Sequence, residues 1–391
     1  MEQTIKNNSK IYMDYAATTP VDQRVTAAMR PYFDQFFGNP SSVHFFGQQA
    51  EGALEQARED VAACLNCRSN EVIFTSCGSE SDNLALRGAA LAARQRKNAN
   101  HILISPVEHH AVSHTARQLA DLFGFELEFL RVDTYGRVDP ADVARSLRKD
   151  TALVSVMQAN NEIGTVNPIS EIGDLCRAHG VIFHTDSVQA AAYLPVDVQD
   201  LNVDLLSLGA HKFYGPKGVG ALYVRKGTPL VPTQTGGGQE FGLRAGTQNV
   251  PFIVGLATAF QLAQAERAER ISQLSALREH IIGAVLEEIP GSQLTGHPTQ
   301  RLPNHASFVF EGVDGNALLM MLDVAGFACS SGSACKTGNP EPSDVLTALG
   351  LSRSLALGSL RLTLGLGTLP EHIQALLQTL PGLVAAARKL D

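Results

Sequence analysis

Two side chains carry the first chemical signal. Asp186 follows directly on the apolar run 181–185, and Lys212 follows the next such run, 204–208, within Gly209-Ala210-His211-Lys212. Ligands of open α/β sheets sit outside the carboxyl ends of the strands, so the acid and the amine are expected at one rim. A lysine amine forms an imine with an aldehyde, and a carboxylate keeps a pyridine nitrogen protonated so that the ring accepts electrons. A pyridine aldehyde cofactor needs that pair. Taken alone, the pair also reads as a surface lysine beside a structural aspartate. A further signal lies after the run 72–76, where Cys77-Gly78-Ser79-Glu80 opens a helical pattern. Free backbone N–H groups at a helix start suit a phosphate, with Gly78 allowing close approach and Ser79 adding a hydroxyl. An ordinary N-cap serine is the plainer reading. No G-x-G-x-x-G follows the strand, so a dinucleotide fingerprint is absent.

These residues need a frame. The chain has 391 residues, 44% hydrophobic and 18% charged, a globular balance. At roughly 150 residues per domain that length suggests two to three domains. The net charge of −8 argues against a nucleic-acid partner. The longest mostly apolar stretch, 250–260, is far short of the roughly 18 residues a membrane span needs. The start Met1-Glu2-Gln3-Thr4-Ile5-Lys6-Asn7 has no apolar signal core, so a cytoplasmic setting is expected. Six cysteines in so long a chain make no disulfide framework. Cys64 and Cys67 form one C-x-x-C without a second pair, and Cys64 continues the apolar helical stripe of Ala50, Leu54, Ala57 and Val61. His110 and His114 stand one helical turn apart but lack a third ligand nearby in sequence.

Strands are expected over 72–76, 101–107, 125–132, 151–158, 181–185, 204–208 and 220–225, with helical patterns between most of them. Apolar strands alternating with helices predict an α/β fold with a mainly parallel sheet covered on both faces. After Gly246 one long helix is expected over 250–288. Shorter elements follow, at 306–310, 316–325, 327–330, 343–349, 360–364 and 370–390. They suit a second, smaller α/β domain. A large domain over 15–262 and a small one made of 1–14 with 263–391 is the expected division.

Several ordered motifs carry a resemblance. They are Tyr12-Met13-Asp14-Tyr15-Ala16-Ala17-Thr18-Thr19-Pro20, Gly38-Asn39-Pro40-Ser41-Ser42-Val43-His44, Glu108-His109-His110-Ala111-Val112 and Asn160-Asn161-Glu162-Ile163-Gly164. His211-Lys212, Arg244-Ala245-Gly246-Thr247, Ser330-Ser331-Gly332-Ser333-Ala334-Cys335 and Leu360-Arg361-Leu362-Thr363-Leu364-Gly365 continue in order. Over essentially its whole length the chain resembles the NifS/IscS-type cysteine desulfurases. The resemblance implies a fold-type-I pyridoxal-phosphate enzyme with a seven-stranded sheet in the large domain, active as a homodimer. It implies that Lys212 is the Schiff-base lysine, Asp186 the partner of the pyridinium nitrogen, and Gln189 a donor to the phenolic oxygen. Gly78, Ser79 and His211 are implied phosphate contacts, with Thr247 reaching from the other subunit. His109 is implied to stack on the ring and move protons. Arg361 and Asn161, helped by Asn39, are implied to hold the substrate carboxylate, as an arginine fork suits a carboxylate.

Cys335 is the implied nucleophile. The Ser/Gly/Ala-rich run before it and Lys336-Thr337-Gly338-Asn339-Pro340 after it are too polar for a core cysteine, whereas Cys329 reads as the buried end of a strand. A free thiol has a pKa of about 8.5, so its thiolate needs some help. The implied reaction takes sulfur from L-cysteine onto Cys335 as a persulfide and releases alanine. Sulfur then passes to an acceptor or iron–sulfur scaffold protein. No resident metal is implied, a transient iron–sulfur cluster at Cys335 being left open. The sequence departs from the pattern at Gly209, where a serine is usual, and at Cys77. It ends at Asp391 directly after its last helical pattern, so the scaffold-docking tail of the IscS branch is not expected. Two other readings stay open: a pyridoxal-phosphate-dependent C–S lyase or aminotransferase of the same fold, and a non-catalytic carrier.

Overall fold

The computed structural model describes residues 10–332 and 341–389. Twelve strands occur among them, in chain order β1 (Ile11–Tyr12), β2 (Val72–Thr75), β3 (His101–Ile104), β4 (Glu126–Phe129), β5 (Thr151–Ser155) and β6 (Ile182–Asp186). Then come β7 (Leu205–Gly209), β8 (Gly220–Val224), β9 (Ser292–Leu294), β10 (His305–Phe310), β11 (Phe327–Ala328) and β12 (Ser359–Thr363). Seven of them form one sheet in the order β2-β8-β7-β6-β5-β3-β4. Only β8 runs antiparallel to its neighbours.

The strands are apolar on both faces because both faces are covered. Ile73, Ile102, Ile104, Leu153, Leu205 and Leu222 point to one side, where they pack with Leu84, Leu86 and Ala89 of helix Gly78–Lys97. Their alternates Phe74, Leu103, Val154, Phe183 and Leu206 pack on the other side with Leu54, Val61, Ile172 and Leu256. Strand side chains alternate with period two, so a doubly covered strand reads as a near-continuous apolar run.

The C-terminal part holds an antiparallel sheet, β12-β10-β9, and a parallel pair, β1 with β11. Backbone bonds from Met13 N–H to Ala328 O and from Thr363 N–H to Met13 O, at 2.8 and 2.9 Å, place Asp14 against β12. The expected helix 250–288 is two helices, Val250–Ala265 and Arg267–Glu288. The chain bends at Glu266, whose carboxylate accepts from Arg24 and Arg270. Strands expected over 101–107 and 125–132 are four residues each, and the last helix ends at Ala387. β1 and β9, two and three residues long, are too short to show a period in sequence.

No helix among the described residues is long and apolar enough to cross a membrane. Cys64 and Cys67 are partly buried and pack on the core. Burial lifts their thiols to about 11 and about 12. The rings of His110 and His114 stack at 4.6 Å, and no metal-holding group of side chains occurs among the described residues.

Candidate active site

Three strand ends build the site. β2 runs into Ser76 and Cys77, and helix Gly78–Lys97 begins there, its first-turn N–H groups pointing at the rim of the sheet. β6 ends on Asp186, and β7 ends on Gly209, from which a short turn carries His211 and Lys212. Parallel neighbours β6 and β7 therefore deliver the acid and the amine to the same edge. Between them lies a cavity of about 300 Å³. Gly78, Ser79, His109, Asn161, Asp186, Gln189, His211, Lys212 and Arg361 all line it.

Lys212 Nζ donates to the carbonyls of Ala16 and Ala17 at 2.6 and 2.7 Å, and Gln189 Nε2 shares the Ala16 oxygen at 2.9 Å. Burial lowers the Lys212 amine to about 8, and the Arg361 charge adds to that. Asp186 accepts from Val188 N–H at 2.8 Å, and burial raises its pKa against the pull of His109 and Lys212. His109 is the N-cap of helix His110–Phe123, its Nδ1 accepting from Ala111 N–H at 3.1 Å. Loss of solvent lowers its basicity, and Lys212 lowers it further while Asp186 opposes. His211 Nδ1 faces Thr18 Oγ1 at 3.2 Å, and burial brings the ring down to about 4.

Gly78 is required here: a Cβ would stand 2.8 Å from Val188 Cγ2. Gly209 lies across the same valine, where a Cβ would meet Val188 Cγ1 at 3.3 Å and Gly78 N at 3.5 Å. The departure at 209 thus removes a hydroxyl at a crowded point beside the helix start. Tyr214, two residues after Lys212, has a left-handed backbone (φ 68°), held by Tyr214 N–H to Thr19 Oγ1 and Leu366 N–H to Tyr214 Oη, both at 2.9 Å.

At the opposite end of the cavity Arg361 Nη2 donates to Asp14 Oδ1 at 2.8 Å and Nη1 to the Asn161 carbonyl at 3.0 Å. Asp14 Oδ2 accepts from Ser330 Oγ at 2.7 Å. Asn39 is exposed, caps its own turn through Ser41 N–H, and does not line the cavity. Thr247 is exposed and also lies outside it. Its segment is tied to the helix start, since Glu80 accepts from Arg244 Nε at 2.9 Å and from Ser76 N–H at 2.7 Å. Cys335 falls outside the described residues. Cys329 is partly buried just past β11, and burial pushes its thiol up to about 12.

Sequence reasoning gave no role to Asp14 or Asp82, both of which bear on the site. Asp14 belongs to the first of the ordered motifs, Tyr12 to Pro20, and that membership was its signal. Asp82 lies one turn inside the helix that starts at Gly78, on the face turned to the cavity, and that helical position was its only signal.

The aminotransferase class-V family model matches residues 11–376. The chain is 46% identical over 382 residues to a cysteine desulfurase IscS of Dictyoglomus turgidum, covering 98% of this chain and 96% of that one. It is likewise 46% identical over 390 residues to the cysteine desulfurase IscS of Methanosarcina thermophila, covering 100% and 96%. Among solved structures it resembles a NifS-like protein, with TM-score 0.89, 35% identity and coverage of 96% of this chain and 100% of that one. It also resembles SspA in complex with cysteine, with TM-score 0.78, 36% identity and coverage of 90% and 98%.

Proposed function

The chain belongs to the aminotransferase class-V family as a cysteine desulfurase working with pyridoxal phosphate, and we propose that it does so through the cavity between β6 and β7. The observation that carries this reading is that Lys212, Asp186 and Arg361 line one cavity. The residues fit the cofactor: Gly78 lines the cavity at a point where a Cβ would strike Val188, N–H groups open the adjoining helix, and a buried amine stands ready. When bound, pyridoxal phosphate supplies an aldehyde for the amine and a ring that takes up electrons.

In this reading Lys212 holds the cofactor and moves the substrate's α-proton, tasks suited to an amine brought to about 8. Asp186 faces the ring nitrogen and Gln189 the phenolic oxygen. Gly78, Ser79 and His211 hold the phosphate, with Thr247 contributed to the other subunit's site. His109 covers the ring. Arg361 and Asn161 orient the carboxylate of L-cysteine, helped by Asn39. Cys335, as thiolate, takes the substrate's sulfur and becomes a persulfide, while the remaining carbon skeleton leaves as alanine. The persulfide then supplies an acceptor protein, such as one that assembles iron–sulfur clusters. The same proposal divides the chain into 15–262 and 1–14 with 263–391, which the pairing of β1 with β11 supports.

A homodimer belongs to this reading. Phe37, Phe45 and Phe46 pack on one another while 64, 66 and 47% exposed. An exposed aromatic cluster of that kind marks a protein contact, and Asn39 lies in the same segment. The test is incubation with L-cysteine followed by mass analysis of Cys335, which should gain one sulfur atom as alanine appears. Cys335→Ser should keep the yellow colour and lose sulfur release. Unchanged turnover in that variant would favour a lyase or aminotransferase instead.

A further inference from the structure

Beneath Asp186 lie two more carboxyl groups. Asp82, 1% exposed, comes from helix Gly78–Lys97 and lines the cofactor cavity, and Glu108, 4% exposed, precedes His109. Glu108 Oε1 accepts from Met157 N–H at 2.6 Å, while its Oε2 has no partner. The Ser207 hydroxyl favours the charged form of Asp82, and Asp82 Oδ1 has no hydrogen-bond partner. His184 stands behind it, with Nδ1 2.8 Å from Ser155 Oγ, Nε2 3.0 Å from Ser207 Oγ and 3.5 Å from Asp82 Oδ1.

With His184 as the Nε2–H tautomer, Ser155 donates to Nδ1, Nε2–H donates to Ser207, and the Ser207 hydroxyl is free to turn to Asp82. That leaves Asp82 Oδ1 buried without a donor, a costly place for half a negative charge. Asp186, in contrast, accepts from Val188 N–H, and Lys212 and His109 nearby favour its charged form. Neighbouring buried carboxyls cannot all ionise, and the charge settles on the best-partnered one. Burial and the Asp186 charge both raise Asp82's pKa, and Glu108 and Cys77 push the same way.

We propose that Asp82 is a positioning residue: a proton-bearing second carboxyl that acts through Asp186 to hold the cofactor's ring nitrogen protonated as pH rises. The inference rests on the reading that sets Asp186 against that nitrogen. At neutral pH Asp82 is uncharged, and Asp186 is the sole anion. At alkaline pH Asp82 releases its proton, and the second negative charge tightens the hold of Asp186 on the ring proton. The two carboxyls then titrate as a pair rather than singly.

The test uses the holoenzyme and Asp82→Asn, which keeps the shape and removes the titration. Visible absorbance of the bound cofactor is followed against pH in parent and variant, with the titration of the imine that Lys212 forms fitted separately from that of the ring nitrogen. In the variant the midpoint for loss of the ring proton should fall by at least one pH unit. At high pH kcat should drop about tenfold, with KM for L-cysteine within twofold. Of the infrared carbonyl bands of buried protonated acids, the one that belongs to Asp82 should disappear, while that of Glu108 stays. Ser207→Ala, which retains the carboxyl, should shift the Asp82 band without abolishing it. Unchanged bands or an unchanged midpoint in Asp82→Asn overturns the role of Asp82. Asp186→Asn separates the two levels. Unaltered cofactor absorbance there overturns the parent reading as well; altered absorbance upholds it, and a failure of Asp82→Asn then counts against Asp82 alone.

Discussion

The two ends of the cavity are prepared differently. At the strand-end side, Asp186, Asp82 and Glu108 crowd three carboxyls into a buried space, and two of their oxygens lack donors. At the other end, Arg361 is already engaged, with one nitrogen on Asp14 and another on the Asn161 carbonyl. The first end gathers acids that its own donors do not fully satisfy. The second keeps its positive charge occupied until a better anion arrives. A site that must keep one ligand and exchange another is served by that asymmetry: the resident group meets unmet demand, and the transient one meets partners it can displace.

The comparison is broken most severely at Lys212. Lys212→Ala should bleach the purified protein and lower desulfurase activity by more than about 10³-fold, read by absorbance and alanine formation. Next is the occupied end. Arg361→Lys keeps a cation but loses the planar fork, so kcat/KM for L-cysteine should fall by about 10–100-fold while the cofactor's absorbance stays. The smallest effect is expected at Glu162, next to Asn161. Its carboxyl accepts from Ser343 Oγ, and burial raises it to about 7. A carboxyl whose folded pKa lies above its unfolded one favours the fold at low pH. That contribution is lost as pH climbs from about 4.5 through about 7. Glu162→Gln should therefore be more stable than the parent at pH 8, by at most about 3.4 kcal/mol, and about equally stable at pH 4. Thermal melts of both proteins at the two pH values decide it.

The sequence made some of this site visible and hid the rest for a physical reason. Asp186 and Lys212 close consecutive apolar strands of one parallel sheet, so their meeting follows from the rule that ligands sit beyond strand ends. The turn at Gly78 follows likewise from a strand feeding a helix. Asp14 binding Arg361 and Glu80 binding Arg244 join residues 347 and 164 positions apart. No local period encodes such pairs: the first depends on how the C-terminal sheet sets against the large one, the second on a loop after β8 folding back over the start of helix Gly78–Lys97. Asp82 escaped for the opposite reason. In sequence it is one polar residue on a helix whose other positions read as ordinary amphipathic packing. The break at Glu266 escaped too, since the residues on both sides of it favour helix; at the bend Glu266 accepts from Arg24 and Arg270.

Tyr214 carries one more consequence. A bulky aromatic in the left-handed region costs on the order of 1–2 kcal/mol, and such strain persists only where surroundings over-determine it. Its clamps come from Thr19, near the beginning of the chain, and Leu366, near its end. The rigidity of the perch beneath Lys212 is therefore imported: two remote stretches of polypeptide must both arrive before the amine has a fixed address.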